Sequence, residues 1–337
     1  MHGLVTRVAP ASVGAVKDAR SVLTAGGLVG FPTETVYGLG ADATNDKAVA
    51  KLYAVKERPA FNPLIAHVAD LAAAQRLAVF DDAALRLAHA FWPGPLTLVL
   101  PKAAHCPVGL LATAGLDTIA VRVPSHPVAH DILVAFGKPV VAPSANRSGK
   151  VSPTTAQHVL HDLRDRIEFL INDGPAPLGI ESTIVACLAG AVLLRPGAVD
   201  RDALEKVLGA ALAPARDAPQ PRAAPLAPGM LASHYAPRTP LRMNASEVAP
   251  GEALLAFGAD LPPGAGTAAA TLNLSAQGDL VEAAANLFAH LRSLDVQGAT
   301  AIAVAPIPDR GIGEAINDRL RHAAAPRDAP ARPHGPA

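Results

Sequence analysis

The sequence is poor in the residues that build covalent and metal frameworks. Its 337 residues include two cysteines, Cys106 and Cys187, far apart and without metal-ligand spacing, which excludes a disulfide scaffold and a zinc ribbon. It has no surplus of charge: 29 lysines and arginines stand against 29 aspartates and glutamates. No net basic field can therefore hold a nucleic acid, and such a partner needs a local patch. No apolar run approaches the ~20 residues of a membrane span, and the opening MHGLVTRVAP lacks the apolar core of a signal peptide. These absences point to a reducing cytoplasm and no membrane partner. The common nucleotide and hydrolase signatures are also missing: there is no G-x-x-x-x-G-K-[ST], no G-x-G-x-x-G after a strand, no G-x-S-x-G and no H-E-x-x-H.

What is present alternates. Helical stretches at 12–25, 46–56, 70–90, 127–136 and 201–209 are interleaved with short apolar strands at 28–31, 64–68, 96–100, 118–123 and 139–142, the rhythm of an α/β fold. Thr183–Cys187 and Val192–Leu194 flank Ala189-Gly190, which predicts a hairpin and hence a mixed sheet. The length exceeds one usual core. We divide the chain into a catalytic domain over 1–210, a Pro/Ala-rich linker over 211–240, a small α/β domain over 241–323 and a disordered tail over 324–337. In the small domain, Ala253–Phe257 and Ala301–Ala305 read as strands, and Asp279 caps a helix with the stripe Leu280, Ala284, Leu287, Leu291 and Leu294.

Polar residues gather where the strands of the first domain end, the place open α/β sheets use for ligands. FPTETVYGLGADA carries Thr33, Glu34, Thr35 and Tyr37. KERPAFNPLIAHV brings Lys56 and Arg58 at a helix end, then Asn62 and His67, which reads as an anion site or as cations answering a helix dipole. Arg122 lies inside an apolar strand and needs an anion, either a structural Asp or Glu or a bound carboxylate. PVVAPSANRSGKVSP offers Ser144, Asn146, Ser148 and Ser152 in a turn suited to phosphate oxygens, and Ser182, Thr183 and Arg195 stand at further strand borders. His126 and His130 lack a third ligand of fitting spacing, His158 and His161 read as a solvated helix, and Glu34 with Glu181 is a conceivable acid/base pair.

Taken in order, PTETVYGLGADA, VKERPAFNPLIAHV, FWPGPLTLVL, AVRVPSHP, PSANRSGKVSPT, ESTIV, LLRPGAV and the linker's PGM…HYAP resemble the YrdC-type L-threonylcarbamoyladenylate synthases in their longer two-domain form. NLSAQGDLVEAAANLFAHLRSLD and GIGEAINDRL resemble that form's C-terminal domain. The resemblance implies a twisted open mixed sheet flanked by helices, followed by a smaller Rossmann-like α/β domain. It implies that L-threonine, bicarbonate and ATP are joined into threonylcarbamoyl-AMP and pyrophosphate with Mg²⁺ carried by ATP, without a protein metal site. The product would pass to the tRNA threonylcarbamoyl transferase machinery for t6A modification beside the anticodon. By resemblance, Lys56, Arg58, Ser144 and Asn146 surround the reacting groups. Thr35, His67, Arg122, Ser144 and Ser182 hold threonine. Arg58, Asn62, Thr118, Ala142 through its backbone, Ser152, Arg195 and Tyr235 meet ATP. The linker departs from relatives in carrying neutral Leu231-Ala232-Ser233.

The residues fit that chemistry. Arg122's planar fork suits the threonine carboxylate, which would explain the buried charge without a structural partner. Lys56, Arg58 and Arg195 would neutralise the anions brought by ATP and bicarbonate. Both the carbamate of threonine and the acyl adenylate suffer in water, so we read the linker as a mobile cover. Met230 and Leu231 would anchor it while His234 and Tyr235 reach the nucleotide, the alternative being that these residues dock the second domain. A double-stranded RNA binding module, with weak RNA binding by the same basic cavity, and a carbamoyltransferase using carbamoyl phosphate are the rival functions.

Overall fold

The computed structural model describes residues 4–215, 225–229, 234–295 and 298–326. Helix α1 (Val13–Thr24) starts where the Ser12 side chain accepts from the Ala15 N–H. Helix α2 (Asp46–Lys56) is capped by Asn45 and stops at Glu57, whose left-handed backbone turns the chain so that Lys56 ends the last turn facing inward. Helices α3 (Leu71–Gln75), α4 (Asp82–Phe91), α5 (Pro127–Phe136), α6 (Ala156–Leu163) and α7 (Arg201–Leu208) complete the first body. Helix α7 packs on α4, and its Leu204 belongs to the main core.

These helices flank an eleven-stranded sheet. From one edge the strands run β1 (Arg7–Pro10), β8 (Phe169–Asn172), β2 (Val29–Phe31), β3 (Gly38–Asp42), β7 (Val140–Val141) and β4 (Ile65–His67). The order continues through β6 (Thr118–Arg122), β5 (Leu96–Pro101), β9 (Thr183–Cys187), β10 (Ala191–Arg195) and β11 (Ala213–Pro214). Pairing is mixed: β4 with β6 and β5 with β9 are parallel, while β2 with β3, β5 with β6 and the β9–β10 hairpin are antiparallel. Strands β1, β3 and β8 lie outside the expected pattern.

A second, wholly parallel sheet has the order β12 (Leu241–Arg242), β15 (Ile302–Val304), β13 (Ala253–Ala256), β14 (Thr271–Asn273). Against it lie α8 (Leu280–Asp295), whose first turn donates to Asp279, and α9 (Ile312–Ala324). The two bodies share an apolar seam in which Val36, Val151 and Ile180 of the first meet Leu287 and Phe288 of the second. Gly179, at φ 65°, is part of that seam. A Cβ there would lie 2.4 Å from the Ala285 carbonyl oxygen of α8, so only glycine lets the two backbones touch. Arg292–Asp162 at 2.7 Å and Arg201–Glu314 at 2.6 Å join the bodies at the rim.

The linker is not a bare spacer. Leu212 is buried in the main core, β11 pairs with β10, and Leu226 and Ala227 are buried. Met230, Leu231 and the tail from 327 lie outside the described residues.

Candidate active site

The parallel register of β4 and β6 sets His67 opposite Arg122. The segment after β2 and the segment after β7 meet beside them, with Ser144 bridged to Gly38. Between these ends lies a partly open cavity of about 50 Å³. All five residues expected to hold threonine line it: Thr35, His67, Arg122, Ser144 and Ser182. Arg58, Ala142, Arg195 and Tyr235 of the expected nucleotide set line it too. Asn62, Thr118, Ser152, Lys56 and Asn146 do not.

Those five residues serve in other ways. The Lys56 ammonium donates to the backbone carbonyls of Ser144, at 2.5 Å, and Asn146, pinning the loop that presents Ser144. Asn146 Nδ2 closes the same loop on the carbonyls of Arg147 and Lys150, both at 2.8 Å. Ser152 Oγ donates to Glu181 at 2.5 Å. Asn62 precedes β4, and Thr118 opens β6, the strand that pairs with β4 in parallel. The Asn62 amide and the Thr118 hydroxyl are buried with no hydrogen-bond partner, a state a protein rarely leaves unused.

Arg122 has a structural partner. Its Nη2 donates to Glu34 at 2.6 Å, Nη1 to Thr35 Oγ1 at 3.0 Å and Nε to the Gly94 carbonyl at 3.3 Å. The expectation of an arginine neutralised by substrate alone is thus corrected: in a site this dry a cation is not left without a counter-charge. Burial pushes the Glu34 carboxyl up, but the charge and hydrogen bonds of Arg122 outweigh it and hold the group below the usual carboxylate range. Glu34 and Glu181 do not act as a pair, since Glu181 is bound to Arg319 at 2.8 Å.

The other cations lack such partners. Lys56, Arg58 and Arg195 are buried, and among the described residues none forms an ion pair with a carboxylate. Arg58 donates to the carbonyls of Asn62 and Pro63, and Arg195 to the carbonyl and hydroxyl of Ser182. Burial lowers Lys56 well below the ordinary lysine value, assisted by the Arg58 charge, and burial lowers Arg58 to about 10. His67 Nδ1–H donates to the Ile65 carbonyl at 3.1 Å, and the ring is held neutral, lowered to about 3 by burial and then by Arg122. The surroundings favour added negative charge.

The linker forms the outer wall. Leu226 and Ala227 pack on Ile65, Ala120 and Ile184 of the sheet. Gly229, at φ 90°, follows so closely that a Cβ would lie 2.8 Å from Arg195 Cδ. Tyr235, with a positive φ of 61°, stacks on Phe288 at 5.7 Å and meets His234 edge-on at 4.0 Å. Tyr235 therefore docks the second body as well as lining the cavity.

Two further expectations change. His158 is half-buried, receives the Thr154 N–H at 3.2 Å and is lowered to about 4 by burial, so it is not on the solvated face of α6, whereas His161 is exposed as expected. Arg319 went unremarked, although its spacing from Ile312, Ile316 and Ala323 puts a cation on the apolar stripe of α9. It is fully buried and reaches Glu181 beside the cavity.

Comparison with known proteins finds matches over most of the chain. Residues 21–197 match the family model Sua5/YciO/YrdC, described as telomere recombination, and residues 199–325 match that of the threonylcarbamoyl-AMP synthase C-terminal domain. The chain is 38% identical to a Bacillus subtilis threonylcarbamoyl-AMP synthase, over 93% of each chain, and 40% identical to the Pyrococcus abyssi one, over 91% of this chain and 93% of that. The crystal structure of P. abyssi Sua5 complexed with L-threonine superposes with a TM-score of 0.84 at 35% identity, covering 95% of this chain and 97% of that one.

Proposed function

The chain belongs to the two-domain threonylcarbamoyl-AMP synthases, and from that premise we propose how its cavity makes threonylcarbamoyl-AMP and pyrophosphate from L-threonine, bicarbonate and ATP. The observation that carries the reading is the convergence of Arg58 and Arg195, without carboxylate partners, on a cavity that also holds Arg122.

Threonine lies with its carboxylate on the remaining N–H groups of Arg122, near Thr35, Ser144, Ser182 and neutral His67. Its amine attacks the bicarbonate carbon, water leaves, and a carbamate results. A carbamate oxygen then attacks the α-phosphorus of ATP and expels pyrophosphate. Arg58 and Arg195 face the charge that develops at phosphorus, and Lys56 with Asn146 holds the Ser144 loop against it. Asn62 and Thr118, with their buried unpartnered groups, take the nucleoside end. No enzyme nucleophile is required.

Magnesium enters with the triphosphate. Glu181 is the carboxylate on the cavity wall, and its oxygens are engaged by Ser152 and Arg319. Among the described residues no group of three or more His, Cys, Asp or Glu is placed to hold a metal ion. The wall does not fit a resident ion, and no step here runs through one.

A volume of about 50 Å³ is far below the roughly 300–1,000 Å³ of ordinary small-molecule pockets. ATP needs more room than this, and we read the linker, whose Pro228 and Gly229 line the cavity, as the lid that draws back to admit it. An RNA duplex fits no cavity of this size. The described helices include none long and apolar enough to cross a membrane, and the free cysteines Cys106 and Cys187 suit a reducing compartment, so we assign the reaction to the cytoplasm. Supplying ATP, L-threonine and bicarbonate tests the reading: pyrophosphate release that depends on threonine is expected. Release that ignores threonine would overturn it.

A further inference from the structure

Arg319 belongs to α9, in the second body, yet its side chain ends beside the cavity. Nε donates to Glu181 Oε2 at 2.8 Å and Nη2 to the Pro196 carbonyl at 3.0 Å. Nη1 pairs with Asp318 at 2.5 Å. The guanidinium carbon lies 5.2 Å from the centre of the Tyr235 ring, near enough for a cation–π contact.

The two first-body contacts are not arbitrary points. Glu181 immediately precedes Ser182, whose carbonyl and hydroxyl hold Arg195, and Pro196 immediately follows Arg195. Arg319 thus grips both strand ends that carry the Arg195–Ser182 pair. Through the Glu181 carboxylate it also reaches Ser152, the far end of the loop bearing Ser144 and Asn146. Burial lowers Arg319, but Tyr235, Glu181 and Asp318 together raise it far above an ordinary arginine, so the charge is permanent.

We propose that Arg319 is a positioning residue for the nucleotide site: the second body completes that site by fixing Arg195 through Glu181 and Pro196 while holding Tyr235 against it. The proposal rests on the synthase reading for the identity of the nucleotide. The threonine side, built from Thr35, His67 and Arg122 on β4, β6 and the segment after β2, meets this clamp at Ser182 and, more remotely through Ser152, at the loop of Ser144. A rigid fork is needed to serve Glu181 and Pro196 at once, so lysine is not a substitute.

The test uses the full chain with Arg319→Lys, which keeps the buried charge opposite Glu181 and so retains the fold, judged by an unchanged number of unfolding transitions. Binding of a non-hydrolysable ATP analogue with Mg²⁺, followed by calorimetry, is expected to weaken at least tenfold, while threonine binding without nucleotide changes less than threefold. In turnover the KM for ATP rises more than kcat falls. Glu181→Gln alone is expected to weaken the analogue similarly, and the double variant to be no worse than the single ones. Unchanged analogue binding in Arg319→Lys overturns the proposal, as does an equal loss of threonine and analogue binding, which marks Arg319 as merely structural. Wild-type protein that binds the analogue but makes no threonylcarbamoyl-AMP would instead count against the synthase reading.

Discussion

At the scale of single residues, Arg122 and Glu34 can be separated experimentally. Arg122→Ala leaves the buried Glu34 carboxylate unpaired and is expected to cost about 3–5 kcal/mol of stability, along with threonine binding. Adding Glu34→Gln should recover most of the lost stability in a denaturant titration but none of the threonine affinity. If threonine binding returned with the stability, Arg122 would be a structural residue alone. His67 gives a pH test. Its folded value of about 3 lies below the unfolded 6.5, so the unfolded chain binds the extra proton between these values. His67 therefore contributes stability that is full above pH 6.5 and is lost as pH falls toward 3, at up to about 1.4 kcal/mol per pH unit. Denaturation midpoints at pH 7, 6 and 5 should fall less steeply in His67→Gln than in the wild type. Parallel slopes would show that other groups govern the acid limb.

Among the elements, the proposed seal of the cavity falls on the linker between 225 and 229. Gly229→Ala adds a Cβ to a backbone at φ 90° and sets it against Arg195, a strain of about 1–3 kcal/mol that lifts the wall rather than the core. The expected result is a lower yield of threonylcarbamoyl-AMP per pyrophosphate released, because the acyl adenylate meets water, with little change in melting temperature. An unchanged yield would mean that residues 225–229 do not seal the site. Tyr235→Ala has a different outcome, since it removes a buried ring stacked on Phe288 and is expected to cost about 3 kcal/mol. The elements also show what sequence could convey. Helices α1, α2 and α5 were legible because their caps are chemical: Ser12 and Asn45 accept from first-turn amides, and Gly137 ends α5 in the left-handed region. Strand β3 was not, because GLGAD has neither β-branched residues nor alternation, being buried on both faces. The site residues were legible as polar interruptions at strand ends. Glu34 as Arg122's partner was not, since 88 residues separate them and only the sheet order brings them together.

For the whole molecule, the seam of Val36, Val151 and Ile180 against α8, with the arginine pairs around it, makes the two bodies one cooperative unit. A single calorimetric unfolding transition is expected for the full chain. Cutting after residue 215 spares Leu212 and β11 but bares the seam and orphans Glu181, so the fragment should melt at least 5 °C lower and bind the ATP analogue poorly. Two separate transitions in the intact chain would contradict this coupling. The small volume of the cavity has a kinetic corollary. On the proposed mechanism threonine, ATP, pyrophosphate and the adenylate all pass the linker, and Tyr235 ties that linker to the second body through Phe288. Turnover on that mechanism then has a ceiling set by how often the linker lifts through solvent. Raising the viscosity of the medium with sucrose should slow the steady state in proportion, while leaving a single chemical turnover inside an already shut site untouched.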